Sequence, residues 1–215
     1  GRRLVGSLPL EEFSRAIDAE LTAISPDRTV PPLPRTESPR SAAAIEPSAT
    51  DNPKSPQTVS LLWFSDVQSS LTPQAAELVH NLVEEYGGKV KLTFKHRPLE
   101  LHPQAMLAHE ALAAAEAQGK FWEMHAIILG HPQAATRDNL VSDARQLSMN
   151  VEAFQAALDT HGFRSIVDAD LAEARWRDVR GSPTFFINSK RIDGIQPLEM
   201  FRQMIDQELT AVATK

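Results

Sequence analysis

The chain has 215 residues, of which 42% are hydrophobic, enough for one packed domain with appendages. A formal net charge of −6 argues against a nucleic-acid partner, which would call for a basic face. The chain has no cysteine, which excludes disulfides, thiolate nucleophiles and cysteine-based zinc sites, and no apolar run approaches the ~18 residues of a membrane span.

The first segment repeats a later one. Gly1–Ala23 can be laid over Ser189–Ala211 without a gap, with 12 of 23 positions identical, among them Gly6/Gly194, Pro9/Pro197, Phe13/Phe201 and Ile17/Ile205. Both copies read as an edge strand, a glycine, a short turn, and a proline in the first turn of an amphipathic helix. The expectation is that residues 1–24 are the last strand and helix of an upstream domain of the same fold. Their apolar residues Leu4, Leu8, Leu10, Phe13 and Ile17 would then be exposed, so the segment is expected to dock back on this domain, pair with another chain or fray. Residues 25–57 hold eight of the 15 prolines and show no apolar periodicity, so they read as an extended linker.

The domain proper is expected over 58–211. Thr58–Phe64 is nearly continuous in apolar content, as in a central parallel strand. Pro73–Tyr86 follows as a helix, with Thr72 as its N-cap and Gly87-Gly88 as its stop. A residue before proline disfavours helical geometry, so Thr72-Pro73 also predicts a late or kinked start. Lys89–Lys95 alternates Val90, Leu92 and Phe94 and completes a parallel βαβ unit. Residues 103–177 are helical throughout, with helices expected at Ala105–Gln118, Phe121–Leu129, Thr136–Leu147, Val151–Leu158 and Ser165–Val179. Phe121, Trp122 and Met124 are expected in the core of this insertion, and Glu84-Glu85 and Arg175–Arg180 on solvated helix faces. Two short strands, Thr184–Asn188 and Arg191–Asp193, form a hairpin through Asn188-Ser189-Lys190. Pro197–Leu209 closes the chain as a helix.

The order is β-α-β, helical block, β-β-α. It predicts an α/β, thioredoxin-like fold with a helical domain inserted between the βαβ unit and the closing ββα unit. Five segments in this order resemble the disulfide-oxidoreductase A (DsbA) family over about 57–210. They are Trp63-Phe64-Ser65-Asp66, Arg97–Ala105, Gln118–His125, Gly181–Asn188 and Gly194–Pro197. The family reads F-x-D-x-Q-C-P-x-C after its first strand. Here Phe64–Thr72 places Ser69 and Thr72 where the cysteines would stand, with Ser70 and Leu71 between them.

That family's reaction needs two thiols at a helix N-terminus, one as an activated thiolate and one to resolve the mixed disulfide. Hydroxyls do neither near neutral pH, so the catalytic positions read as degenerate and no thiol–disulfide exchange is expected from this chain. The resemblance makes Pro183 a cis-proline facing the lost site. It implies that an extended peptide lies between Ser69–Thr72 and Ser182–Pro183, and that the domain serves a larger disulfide oxidoreductase or isomerase whose upstream part carries the redox chemistry. The competing reading is a structural or dimerisation domain with no ligand. The partners expected are an unfolded or extended polypeptide or another domain of the same protein, with a homo-oligomer left open. No cofactor is implied, and the resemblance points to an extracytoplasmic, periplasmic setting.

Two further chemistries are disfavoured. Ser69 lies in no G-x-S-x-G elbow, so an acyl-transfer nucleophile has no support. His102 and His109 could share a helix face with Glu110 and His125 nearby, but no H-E-x-x-H spacing occurs, and capping or packing is the plainer role for His102. Asp66 reads as a cap or loop hydrogen-bonding residue next to the lost site.

Overall fold

The computed structural model describes residues 58–213. The repeat at 1–24 and the linker at 25–57 lie outside the described residues.

Strand β1 (Val59–Ser65) sits inside a four-stranded sheet of order β2-β1-β3-β4. Side chains alternate between the faces of a strand, so Val59, Leu61 and Trp63 share one face. They pack with Ala75, Leu78, Val79 and Leu82 of helix α1 (Thr72–Tyr86) and with Phe201 and Ile205 of helix α7 (Leu198–Ala213). The spacing 75-78-79-82 is one stripe of an amphipathic helix. Gly87 ends α1 at φ +54°, a backbone state that suits glycine. A 3₁₀ turn, Gly87–Lys89, then leads into β2 (Val90–His96), parallel to β1 in the register Val59–Val90 through Ser65–His96.

Strands β3 (Thr184–Ile187) and β4 (Lys190–Asp193) form the closing hairpin, antiparallel to each other, with β3 antiparallel to β1. Asn188 turns the hairpin at φ +52°, a state asparagine tolerates. Its amide donates to Ser60 O at 2.8 Å, and its Oδ1 accepts from Ser60 N at 3.0 Å. The opposite face of the sheet carries Phe64 and Phe186 against Ala174 and Val179.

The insertion consists of α2 (Ala105–Glu116), α3 (Phe121–Gly130), α4 (Arg137–Gln146), α5 (Val151–Asp159) and α6 (Arg164–Trp176). Helix α2 is buried on almost every side, because its alanines let α3, α4, α5 and α6 approach closely. The insertion core joins Ala108, Leu112, Met124, Ile128, Leu140 and Phe154, and Val67 of the β1–α1 loop reaches into it. Fully burying one such side chain contributes roughly 1.5–3 kcal/mol.

Four expectations are corrected here. Helix α1 begins at Thr72, after Leu71, with no side-chain cap. Thr72 is buried and its hydroxyl turns inward, while Pro73 in the first turn needs no amide partner, so the start is not delayed. Helix α6 stops at Trp176, short of Val179. Asp178 takes φ +54°, its amide bonds Arg175 O and the Val179 amide bonds Ala174 O, the pairing of a Schellman motif. Trp122 is 42% exposed, because Met124, His125 and Ile128 define the inward face of α3. Arg177 is no simple solvated residue, since its guanidinium lies 5.3 Å from the Trp176 ring and 5.1 Å from the Phe186 ring.

Candidate functional site: a loop junction around Asp66

Three loops meet at Asp66, which is fully buried. The first is the β1–α1 loop that carries Ser69. Asp66 O accepts the Ser69 amide at 3.0 Å and the Thr72 hydroxyl. Because that hydroxyl has one proton, Ser65 Oγ is the donor in its 3.1 Å contact with Thr72 Oγ1. The second loop, 97–104, bonds the carboxylate: Leu99 N and His102 Nδ1 donate to Oδ2, each at 2.7 Å, while Gln68 N donates to Oδ1 at 2.8 Å. The third is the turn before β3, where Ser182 Oγ accepts the Asp66 amide at 2.8 Å. Gln68 adds a second clasp, donating to Pro132 O at 2.7 Å and accepting the Gln104 amide at 3.0 Å.

Burial alone would push the Asp66 carboxyl up, but the His109 contact, the Gln68 amide and the His102 hydrogen bond outweigh it and hold it below the usual range. Behind the carboxylate lie three buried imidazoles, those of His96, His109 and His125. His96 Nδ1 and His109 Nδ1 are 2.9 Å apart, and His109 Nε2 accepts the Val67 amide at 3.4 Å. Burial pushes His96 down to about 2 and His125 down to about 3, with neighbouring positive charge adding to the effect, and it lowers His109 as well. The His125 ring stands edge-on to Trp63 at 5.6 Å, and its Nε2 has no hydrogen-bond partner among the described residues.

The structure brings the expected site residues together but does not expose them equally. Thr72 and Pro183 are buried, and Ser69 is 9% exposed. Ser70, Leu71, Leu101 and Gly181 are exposed. The Ser182–Pro183 peptide is cis, and Pro183 O is taken by the Gly194 amide at 2.9 Å. The main-chain N–H and C=O of Ser182 have no hydrogen-bond partner among the described residues. His102 precedes α2 rather than lying on it, so it shares no helix face with His109; both reach Asp66 instead. Glu110 faces the other way, to His161 Nδ1 at 2.9 Å. Among the described residues no set of three His, Cys, Asp or Glu side chains is arranged to hold a metal.

Sequence reasoning placed Asp66 in a loop but did not see that it ties three loops together. Its partners lie 33, 36 and 116 positions away, beyond the reach of any local pattern. Gln68 and the imidazole cluster were missed for the same reason.

Comparisons with known proteins agree with this fold. A thioredoxin-like oxidoreductase from Silicibacter pomeroyi DSS-3 superimposes with a TM-score of 0.63 at 21% identity, over 71% of this chain and 87% of that one. BdbD from Bacillus subtilis gives 0.59 at 20% identity, over 71% and 88%. A periplasmic thioredoxin-like protein from Salmonella enterica serovar Typhimurium gives 0.57 at 18%, over 71% and 84%. At these identities the likeness is one of fold. Among curated sequences, the Na(+)/H(+) antiporter NhaA 3 of Salinispora tropica is 32% identical over 142 residues, covering 66% of this chain and 22% of the antiporter. An NhaA antiporter of Nitrosospira multiformis is 31% identical over 139 residues, covering 63% and 22%. The chain thus spans only 22% of the length of these curated relatives. Among the described residues no helix is long and apolar enough to cross a membrane. The model of the DSBA-like thioredoxin domain matches residues 60–206, a span that takes in β1, the Asp66 junction, the whole insertion and the Ser182–Pro183 turn, and the chain belongs to that family.

Proposed function

We propose that this is a thiol-free, non-catalytic DsbA-family domain that binds an extended polypeptide segment along the Ser182 turn. The observation that carries the reading is the open main chain of Ser182. One N–H and one C=O stand without a partner among the described residues, beside the exposed Ser70-Leu71 step. An extended peptide satisfies such a pair as an added strand does, through main-chain hydrogen bonds that need no sulfur. Ser69 and Thr72 take a different part. Thr72 is buried in the Asp66 network and shapes the groove from below, while Ser69 offers the ligand only a small surface.

The relatives shift the proposed setting. The matched curated proteins are named as Na(+)/H(+) antiporters rather than disulfide isomerases. We therefore place this domain as an appendage of an antiporter-type protein, with its peptide ligand drawn from that protein or from neighbouring unfolded chains. An extracytoplasmic location is part of the proposal and is supported by the periplasmic structural neighbour.

The test is fluorescence anisotropy of a labelled, permanently unfolded polypeptide titrated with the 215-residue chain. Saturable binding that a Ser70→Arg, Leu71→Arg double variant weakens at least tenfold supports the groove. Absence of saturation up to millimolar chain, or equal binding by the double variant, contradicts it.

A further inference from the structure

The Asp66 junction is closed on one side by loop 97–104, and that loop runs between two histidines that touch. His96 ends β2 and His109 lies on α2, and their Nδ1 atoms are 2.9 Å apart. A contact of that length holds one proton and one lone pair. The Val67 amide donates to His109 Nε2, so this nitrogen is the acceptor and the His109 proton is on Nδ1, facing the lone pair of His96 Nδ1. Both rings are neutral in this arrangement, and it leaves no room for a second proton in the contact.

We propose that the His96–His109 pair is a latch on loop 97–104 that holds one wall of the Asp66 junction closed at neutral pH and releases it when either imidazole takes up a proton from solvent. A proton on His96 would set proton against proton across the pair. A proton on His109 Nε2 would set donor against the Val67 amide and turn the ring toward Asp66 Oδ1, now 3.8 Å away. Either event parts β2 from α2 at the two ends of the loop that delivers Leu99 N and His102 Nδ1 to Asp66.

The charged surroundings decide which ring yields first. From β2, the Lys95 ammonium opposes charge on His96 and is itself engaged by Asp170 and Glu173 of α6, each at 2.9 Å. Asp170 Oδ2 accepts the His96 amide at 2.9 Å, which fixes the strand end rather than the ring. From α3, His125 adds to the opposition at His96. His109 faces the carboxylates of Asp66 and Asp170, which favour its charged form although burial opposes it. His102 is already bonded to Asp66, and Arg97 points away to Val179 O at 3.3 Å and Arg180 O at 3.4 Å. The first proton therefore goes to His109, and Asp66 is the acceptor waiting for it.

Amide hydrogen exchange on the full chain at pH 7.5, 6.5 and 5.5, corrected for the intrinsic rate, tests the latch without any peptide, so its failure is separate from failure of the groove. The expected result is that protection of Val67 and Leu99 falls by up to about tenfold per pH unit below pH 6.5, the slope for uptake of one proton. Leu82 in α1 and Phe186 in β3, which exchange through global unfolding, should follow the steeper slope of the whole fold, set by more than one buried imidazole. His109→Gln, which keeps hydrogen-bonding groups but does not titrate, should flatten the slope; if it does not fold, His96→Asn provides the same reading. Protection of Val67 and Leu99 that is constant with pH, that falls in step with Leu82 and Phe186, or that keeps its slope in the folded variant would overturn the proposal.

Discussion

The Asp66 junction and the core of the helical insertion adjoin at Val67, yet opposite forces hold them. Val67 is fully buried among alanine, leucine and phenylalanine side chains, where only shape and volume matter. One residue earlier, Asp66 is equally buried and works through directed hydrogen bonds to groups on three loops. The apolar side can absorb a change of side chain by repacking. The polar side cannot, because each lost partner leaves another buried polar group unsatisfied. This contrast also explains how the site frame stands without thiols. Thr72 and the Ser69 amide take part in the network through Asp66 O, and its centre is a carboxylate.

The sharpest way to break the comparison is Asp66→Ala. It strands the Leu99 and Gln68 amides and His102, and should cost roughly 3–5 kcal/mol in urea unfolding. Acid comes next. His96 and His125 titrate at about 2 and about 3 when folded, below the ordinary value near 6.5. The folded state then refuses protons that the unfolded chain accepts, so stability is level above about pH 6.5 and falls as pH drops through it. Two such groups remove about 4 kcal/mol between pH 7 and pH 5, read as a lower urea midpoint. The lowered Asp66 carboxyl acts in the same direction, but its stabilising share is lost only as pH falls below its ordinary value of 3.8. Thr72→Val removes the bond to Asp66 O and the acceptor of Ser65, and should cost about 1–2 kcal/mol in the same assay. Leu140→Met, in the fully buried insertion core, should cost about 1 kcal/mol because volume is kept. Ser69→Ala should change stability by less than about 0.5 kcal/mol, since among the described residues its only side-chain bond is the 3.4 Å contact from Leu71 N.

Much of the frame could be read from the chain because its signals are local. The apolar run before Ser65 gave β1, Gly87-Gly88 marked the end of α1, and the alanine spacing from Ala105 marked the central helix. Other features carry no local signal. After α5 it is His161 that takes φ +53°, while the Gly162 amide closes back on Ala157 O. Ser148 and Asp178 end their helices likewise, with no glycine to announce it. Trp122 looked like core because α3 is apolar nearly all round, and only packing against Phe94 and Phe121 decides which side faces out. The site was legible as a set of positions, Ser69 to Thr72 and Ser182-Pro183. Its load-carrying residue was not, because the worth of Asp66 lies in partners brought in from three parts of the chain.

The central claim is that the groove keeps a working peptide edge although its thiols are gone. Chemical-shift mapping of the isotope-labelled chain with an unfolded, cysteine-free polypeptide tests it most directly. The account predicts saturable shifts centred on Ser182, Gly181 and Ser69–Leu71, with the far helices α4 and α5 unmoved. Shifts absent from Ser182 at saturating polypeptide, or centred on another face, would contradict it.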